Sequence, residues 1–60
     1  MKNTNYFVIR KFRDGVNLWL SNFEHEIIWS RSSEEAYLGD EEEMNLINQK
    51  LGLYGKVEKV

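Results

Sequence analysis

Sixty residues make one domain at most, and 42% hydrophobic with 13% aromatic residues is the composition of a folded chain, not a disordered one. The chain has no cysteine and one histidine, His25, which excludes disulfides and thiolate metal sites and argues against structural zinc. A net charge of −2 argues weakly against a dedicated nucleic-acid binder, and no apolar run approaches the length needed to span a membrane.

A chain this short buries only about 60% of the surface its unfolded form exposes, so it is marginal alone. Small scaffolds usually add a disulfide, a metal or a partner copy, and here only the partner copy is open. The first residues carry no apolar segment of signal-peptide type. The expectation is one small, soluble domain over residues 1–60, in the cytoplasm, with no cofactor and no membrane partner. Charge is unevenly spread. Lys2, Arg10, Lys11 and Arg13 make the first quarter basic, Glu34, Glu35, Asp40, Glu41, Glu42 and Glu43 make the middle acidic, and Lys56 and Lys59 return base to the end.

Residues 1–4 read as a polar, frayed lead-in. Strands are expected at about 5–12 and 16–21, joined at Arg13-Asp14-Gly15-Val16. Asp-Gly between two apolar runs suits a type I′ turn, whose two central residues need positive φ. That turn pairs Arg13 with Val16, Phe12 with Asn17, Lys11 with Leu18, Arg10 with Trp19 and Ile9 with Leu20. A turn follows at Ser21-Asn22-Phe23-Glu24 and a short third strand at 26–30. Ser32 with Glu35 has the spacing of a capping box, so 33–38 reads as one helical turn ended by Gly39. Asp40 caps a longer helix over 41–51, with Glu43 placed to return the bond, Lys50 in the last turn and Gly52 just beyond it. Its apolar positions are Met44, Ile47 and Leu51, with Leu46 alongside. A last strand lies within 54–60, its neighbour in the sheet left open. The fold class is α+β: a three- to four-stranded antiparallel sheet, in the order β-β-β-α-β, with one helix on one face.

Alternation along the hairpin sorts its side chains into two sets. Phe7, Ile9, Lys11, Leu18 and Leu20 share one face, which the helix is expected to cover. Tyr6, Val8, Arg10, Phe12, Asn17 and Trp19 share the other, with Phe23 a further candidate for it. A sheet covered on one side normally shows polar residues on its other side. Here both sets are substantially apolar, and the chain has one helix to offer. Either Tyr6 and Trp19 are surface aromatics packed on the Arg10 stem, or the second face is buried against another molecule.

Catalytic signatures are missing. Glu41, Glu42 and Glu43 are consecutive on a helix and point about 100 degrees apart, so they do not converge on a metal without partners. They read as a solvated first turn or, alternatively, as part of an acidic surface that imitates DNA phosphates. His25, between Glu24 and Glu26, reads as a solvated turn histidine, and Ser21, Ser30, Ser32 and Ser33 have no evident base. No enzymatic activity is expected. Arg10, Lys11 and Arg13 interleave with Phe12 and oppose Trp19, a pattern that can stack bases and neutralise phosphates. It equally serves a charged hairpin tip that stays soluble.

The run Ile28-Trp29-Ser30, followed by Glu35-Ala36-Tyr37 and a capped helix, resembles the very small proteins of early or accessory regions in phages and prophages of low-GC Gram-positive bacteria. The resemblance implies a small accessory protein, in the host cytoplasm, that acts by binding a host enzyme or regulator. It carries over no catalytic residues. The expected interface is the aromatic sheet face, with Tyr6, Val8, Phe12 and Trp19 at its apolar centre and Arg10 as polar anchor, residue types enriched at hot spots. Self-association, as a dimer, is the first expected use and a host protein target the second. Nucleic-acid contact through Lys11 and Arg13, or DNA mimicry through Glu41, Glu42 and Glu43, are the alternatives.

Overall fold

A computed structural model describes residues 5–60; the lead-in read at 1–4 lies outside them. The elements are β1 (Phe7–Arg13), β2 (Val16–Asn22), β3 (Ile28–Ser30), a 3-10 turn (Ser33–Glu35), α1 (Glu41–Lys50) and β4 (Lys56–Lys59). The four strands form one antiparallel sheet in the order β3-β2-β1-β4, so the last strand closes beside the first. This is the α+β arrangement expected from the sequence.

Asp14 (φ 54) and Gly15 (φ 81) both take positive φ, and the register Arg13↔Val16, Phe12↔Asn17, Lys11↔Leu18, Arg10↔Trp19 follows. The ladder ends there, one pair short of the expected Ile9–Leu20. Past Trp19 the pairing of β1 with β2 stops, and on its other side β2 shifts register against β3 between Leu20 and Asn22. The segment after the 3-10 turn enters the gap. Tyr37 donates its backbone N–H to the Leu20 carbonyl at 2.8 Å, and Phe7 exchanges both backbone bonds with Gly39, at 2.7 and 3.3 Å. Gly39 is therefore a short third partner of β1 and does not end the helical turn, which closes at Ala36. A Cβ at Gly39 would lie 2.7 Å from the Glu43 carboxylate and 2.9 Å from the Met44 sulfur.

The core comprises Ile9, Leu20, Met44 and Leu53, ringed by Phe7, Phe23, Trp29, Tyr37, Ile47 and Val57. Helix α1 packs over β1 and β4 on the Phe7–Ile9 side, as expected. Leu18, assigned to the same cover, is not in this cluster. Phe23 is in it, edge-on to Tyr37 at 5.0 Å, which corrects its placement on the second face. The alternation that assigned it breaks at the same Leu20–Asn22 irregularity. Of the helix positions read as apolar contacts, Met44 is fully buried and Ile47 partly so, whereas Leu46 and Leu51 are exposed.

The caps depart in part from the expected pattern. Asp40 accepts from the Glu43 N–H at 2.7 Å, but the Glu43 carboxylate accepts from the Tyr37 hydroxyl at 2.8 Å. That bond holds the Tyr37 phenol above its ordinary pKa. Ser32 accepts from the Glu34 N–H, while the Glu35 carboxylate accepts from the Ser30 hydroxyl. The expected helical turn at 33–38 keeps its Ser32 cap but spans only three residues, ending where Ala36 turns extended at φ −70 and ψ 142. At the other end, the helix stops at Lys50 with Gly52 at φ 60, its N–H bonded to the Gln49 carbonyl and that of Leu53 to Asn48, a Schellman pair. Tyr54 follows at φ 57 with 90% of its surface exposed, so the final strand starts at Lys56, not Tyr54. Asn48 then clasps Gly55, accepting from its N–H at 3.0 Å and donating to its carbonyl at 2.9 Å.

Candidate interaction surface

Four pairs of β1 lie against β4, from Phe7↔Lys59 to Arg10↔Lys56, and β3 lies against β2 only from Trp19 to Asn22. Period-two alternation then fixes what the uncovered face presents. Along β1 it carries Val8, Arg10 and Phe12, preceded by Tyr6. Opposite them stand Asn17 and Trp19 on β2, Ser30 on β3, and Lys56 and Glu58 on β4. The segment beside Phe7 adds Leu38, because Gly39 faces the helix and its neighbour faces the other way. Helix α1 packs against the opposite side of the sheet, so Tyr6 and Trp19 do not lie beneath it.

The centre of this face is polar and internally satisfied. The Arg10 guanidinium donates to both Glu58 carboxylate oxygens, at 2.9 and 2.6 Å, and to Asn17 Oδ1 at 2.8 Å. Only 27% of the Arg10 side chain and 29% of the Glu58 side chain reach solvent. The two-pronged geometry matches guanidinium to carboxylate. Its hydrogen bonds hold the Glu58 carboxyl below the usual carboxylate range and raise Arg10 further above its own. Arg10 is thus tied to a partner 48 positions away that sequence reading did not name. The signal was in Lys56-Val57-Glu58-Lys59, whose alternation puts Glu58 on the Arg10 face once the strand is seated beside β1.

Apolar surface flanks this pair on two sides. On the tip side Phe12 is 66% exposed. On the base side is a cleft of about 420 Å³, walled by Val8, Trp19, Ala36, Leu38 and Val60, with Glu34 and Lys59 among its edges. Val8, placed from sequence at the centre of the interface, is already 93% covered by its own chain and forms the cleft floor. Ala36, Leu38 and Val60 were not singled out from sequence. Leu38 and Val60 leave 46% and 73% of their surface in solvent, and Tyr6 leaves 47%.

The residues considered for nucleic-acid contact are not gathered together. Arg10 is committed to Glu58, and Lys11 lies on the opposite face with its ammonium 4.7 Å from the centre of the Trp29 ring. Arg13 is exposed at the tip. Of the three glutamates considered for DNA mimicry, Glu43 binds Tyr37, while Glu41 and Glu42 project from the first helical turn, exposed. Among the described residues no three His, Asp or Glu side chains are grouped to hold a metal, and no helix is long and apolar enough to cross a membrane. His25 is exposed in the loop before β3. Comparison of the chain with protein-family profiles, with curated protein sequences and with solved structures gives no match in any of the three.

Proposed function

We propose that this is a non-enzymatic binding protein that acts through the sheet face opposite its helix, and that its first partner is a second copy of itself. The observation that carries this reading is the juxtaposition, on one face of a 60-residue chain, of exposed Tyr6, Phe12 and Leu38 with half-buried Trp19 around a neutralised Arg10–Glu58 pair. Such a surface costs free energy in water and gains it when covered. An ion pair already closed within the chain brings no unpaired charge into the contact. A small core without disulfide or metal gains from the added burial.

Trp19→Ala tests the reading. It should lower the mass in solution and the melting temperature together, because a partner that binds only folded chain stabilises it by mass action. A Trp19→Ala chain with unchanged mass removes the face from the contact. A heterologous target, such as a host protein of a phage-type accessory factor, uses the same face and shows as a stoichiometric complex formed at the expense of the homo-oligomer.

A further inference from the structure

Among the described residues no third strand flanks the hairpin beyond Arg10 and Trp19. Strand β4 reaches only Arg10 and β3 only Trp19, so residues 11–18 form a two-stranded arm extending past the four-stranded sheet. The molecule measures 40 Å along its longest axis against 22 and 19 Å across. Two strands alone are marginal in water, and this arm ends in a phenylalanine 66% exposed on the face that carries the cleft.

We infer that two copies associate face to face about a twofold axis near Arg10, the arm of each lying across the other so that Phe12 enters the cleft of Val8, Trp19, Ala36 and Leu38. This rests on the self-association proposed above and specifies its geometry. A twofold contact must present a surface that complements itself, and this one does. Its projecting aromatic and its cleft lie on one strand, Phe12 and Val8 being four residues, about 13 Å, apart. Arg10 lies midway between them. A twofold there exchanges the two ends, giving the same insertion twice. Two guanidinium groups would meet near the axis, but each is neutralised by its own Glu58 at 2.6 Å. A second copy fits the cleft better than a small ligand because the occupant that its apolar walls suit, an exposed aromatic ring, is what the chain itself projects from the same face.

The test is a charge swap read by sedimentation. Phe12→Glu and Leu38→Lys alter side chains outside the buried core, and each alone should raise the dissociation constant about tenfold or more, the loss expected of a hot-spot residue. Mixed in equal amounts, the two variants should recover association, because one insertion then pairs glutamate with lysine and the other is the original. Phe12→Ser, uncharged, should weaken association like Phe12→Glu, and circular dichroism of each variant should match the parent. If the parent associates but the single variants do so equally well, or the mixture fails to recover, the arm-in-cleft geometry is wrong while self-association stands. A parent that stays monomeric at every concentration overturns both.

Discussion

Replacing Gly55 with alanine puts a methyl carbon 2.5 Å from Cγ2 of Ile9 and 3.1 Å from the carbonyl oxygen of Arg10. Neither neighbour can yield easily. Ile9 is fully buried at the centre of the core, and the Arg10 carbonyl belongs to the middle strand of the sheet. Gly55 is itself held at both backbone groups by Asn48. Forcing one extra carbon into a packed site costs about 1–3 kcal/mol. A 60-residue domain has a total stability of about 3–9 kcal/mol, so Gly55→Ala removes a large share of it. The expected signature is a fall in melting temperature of about 4–8 °C for each kcal/mol lost, with a matching shift of the urea midpoint and an unchanged slope. Gly15→Ala is the control: no atom lies within 4 Å of its Cβ, so only the positive φ of 81° is strained. Because the clasp prevents the turn from backing away, Gly55→Ala should cost less in an Asn48→Ala background than alone, a coupling that a double-mutant cycle measures. A Gly55→Ala chain within about 0.5 kcal/mol of the parent, the scatter of neutral surface changes, would refute the close approach of this turn to Ile9.

Three further outcomes follow from local geometry. The Glu58 carboxyl is held below its unfolded value by Arg10, so it contributes stability above the ordinary carboxylate range that is lost as pH falls through its depressed value. Glu58→Gln should therefore flatten the acid side of the stability–pH profile, and an unchanged profile would contradict the pairing. Asp40→Ala removes the acceptor for the Glu43 N–H and should cost about 0.5–2 kcal/mol in urea denaturation; no measurable loss would mean that the cap is not held. Tyr54 occupies a left-handed conformation with its side chain in solvent, a position costing an L residue about 1–2 kcal/mol. Tyr54→Asn, better tolerated there, should raise the melting temperature, and a fall would show that the tyrosine ring makes a stabilising contact.

Much of the architecture was legible in the sequence because it is specified locally. Asp14-Gly15 admits one compact turn, and that turn sets the pairing of the next four residues on each side. Asp40 at the N-cap and Gly52 past the last turn bracket the helix to within one residue. What escaped reading depends on contacts distant along the chain. Neither the end of the β1–β2 pairing after Trp19 nor the entry of Tyr37 and Gly39 beside it has a local signature, and the two together decide which faces Phe23 and Leu38 occupy. The same holds for Glu58, whose value to Arg10 depends on β4 pairing with β1, not the other edge. At the candidate surface, alternation identified Tyr6, Arg10, Phe12 and Trp19 as sharing one side. It did not reveal that Val8 lies beneath a cleft wall of Ala36, Leu38 and Val60. Of the expected capping box at Ser32 the serine cap is kept, whereas the Glu35 carboxylate accepts from the Ser30 hydroxyl at 2.6 Å in place of the reciprocal bond.

In the proposed dimer one apolar face of the sheet lies under the helix and the other under a second copy. Sedimentation equilibrium of the unaltered chain at two loading concentrations a hundredfold apart addresses it directly, with thermal melts at the same concentrations. A dimerising chain gives a mass rising from that of the 7.2 kDa chain toward twice that value, and a melting temperature that rises with it. A single-chain mass at both concentrations, with coincident melts, would contradict it.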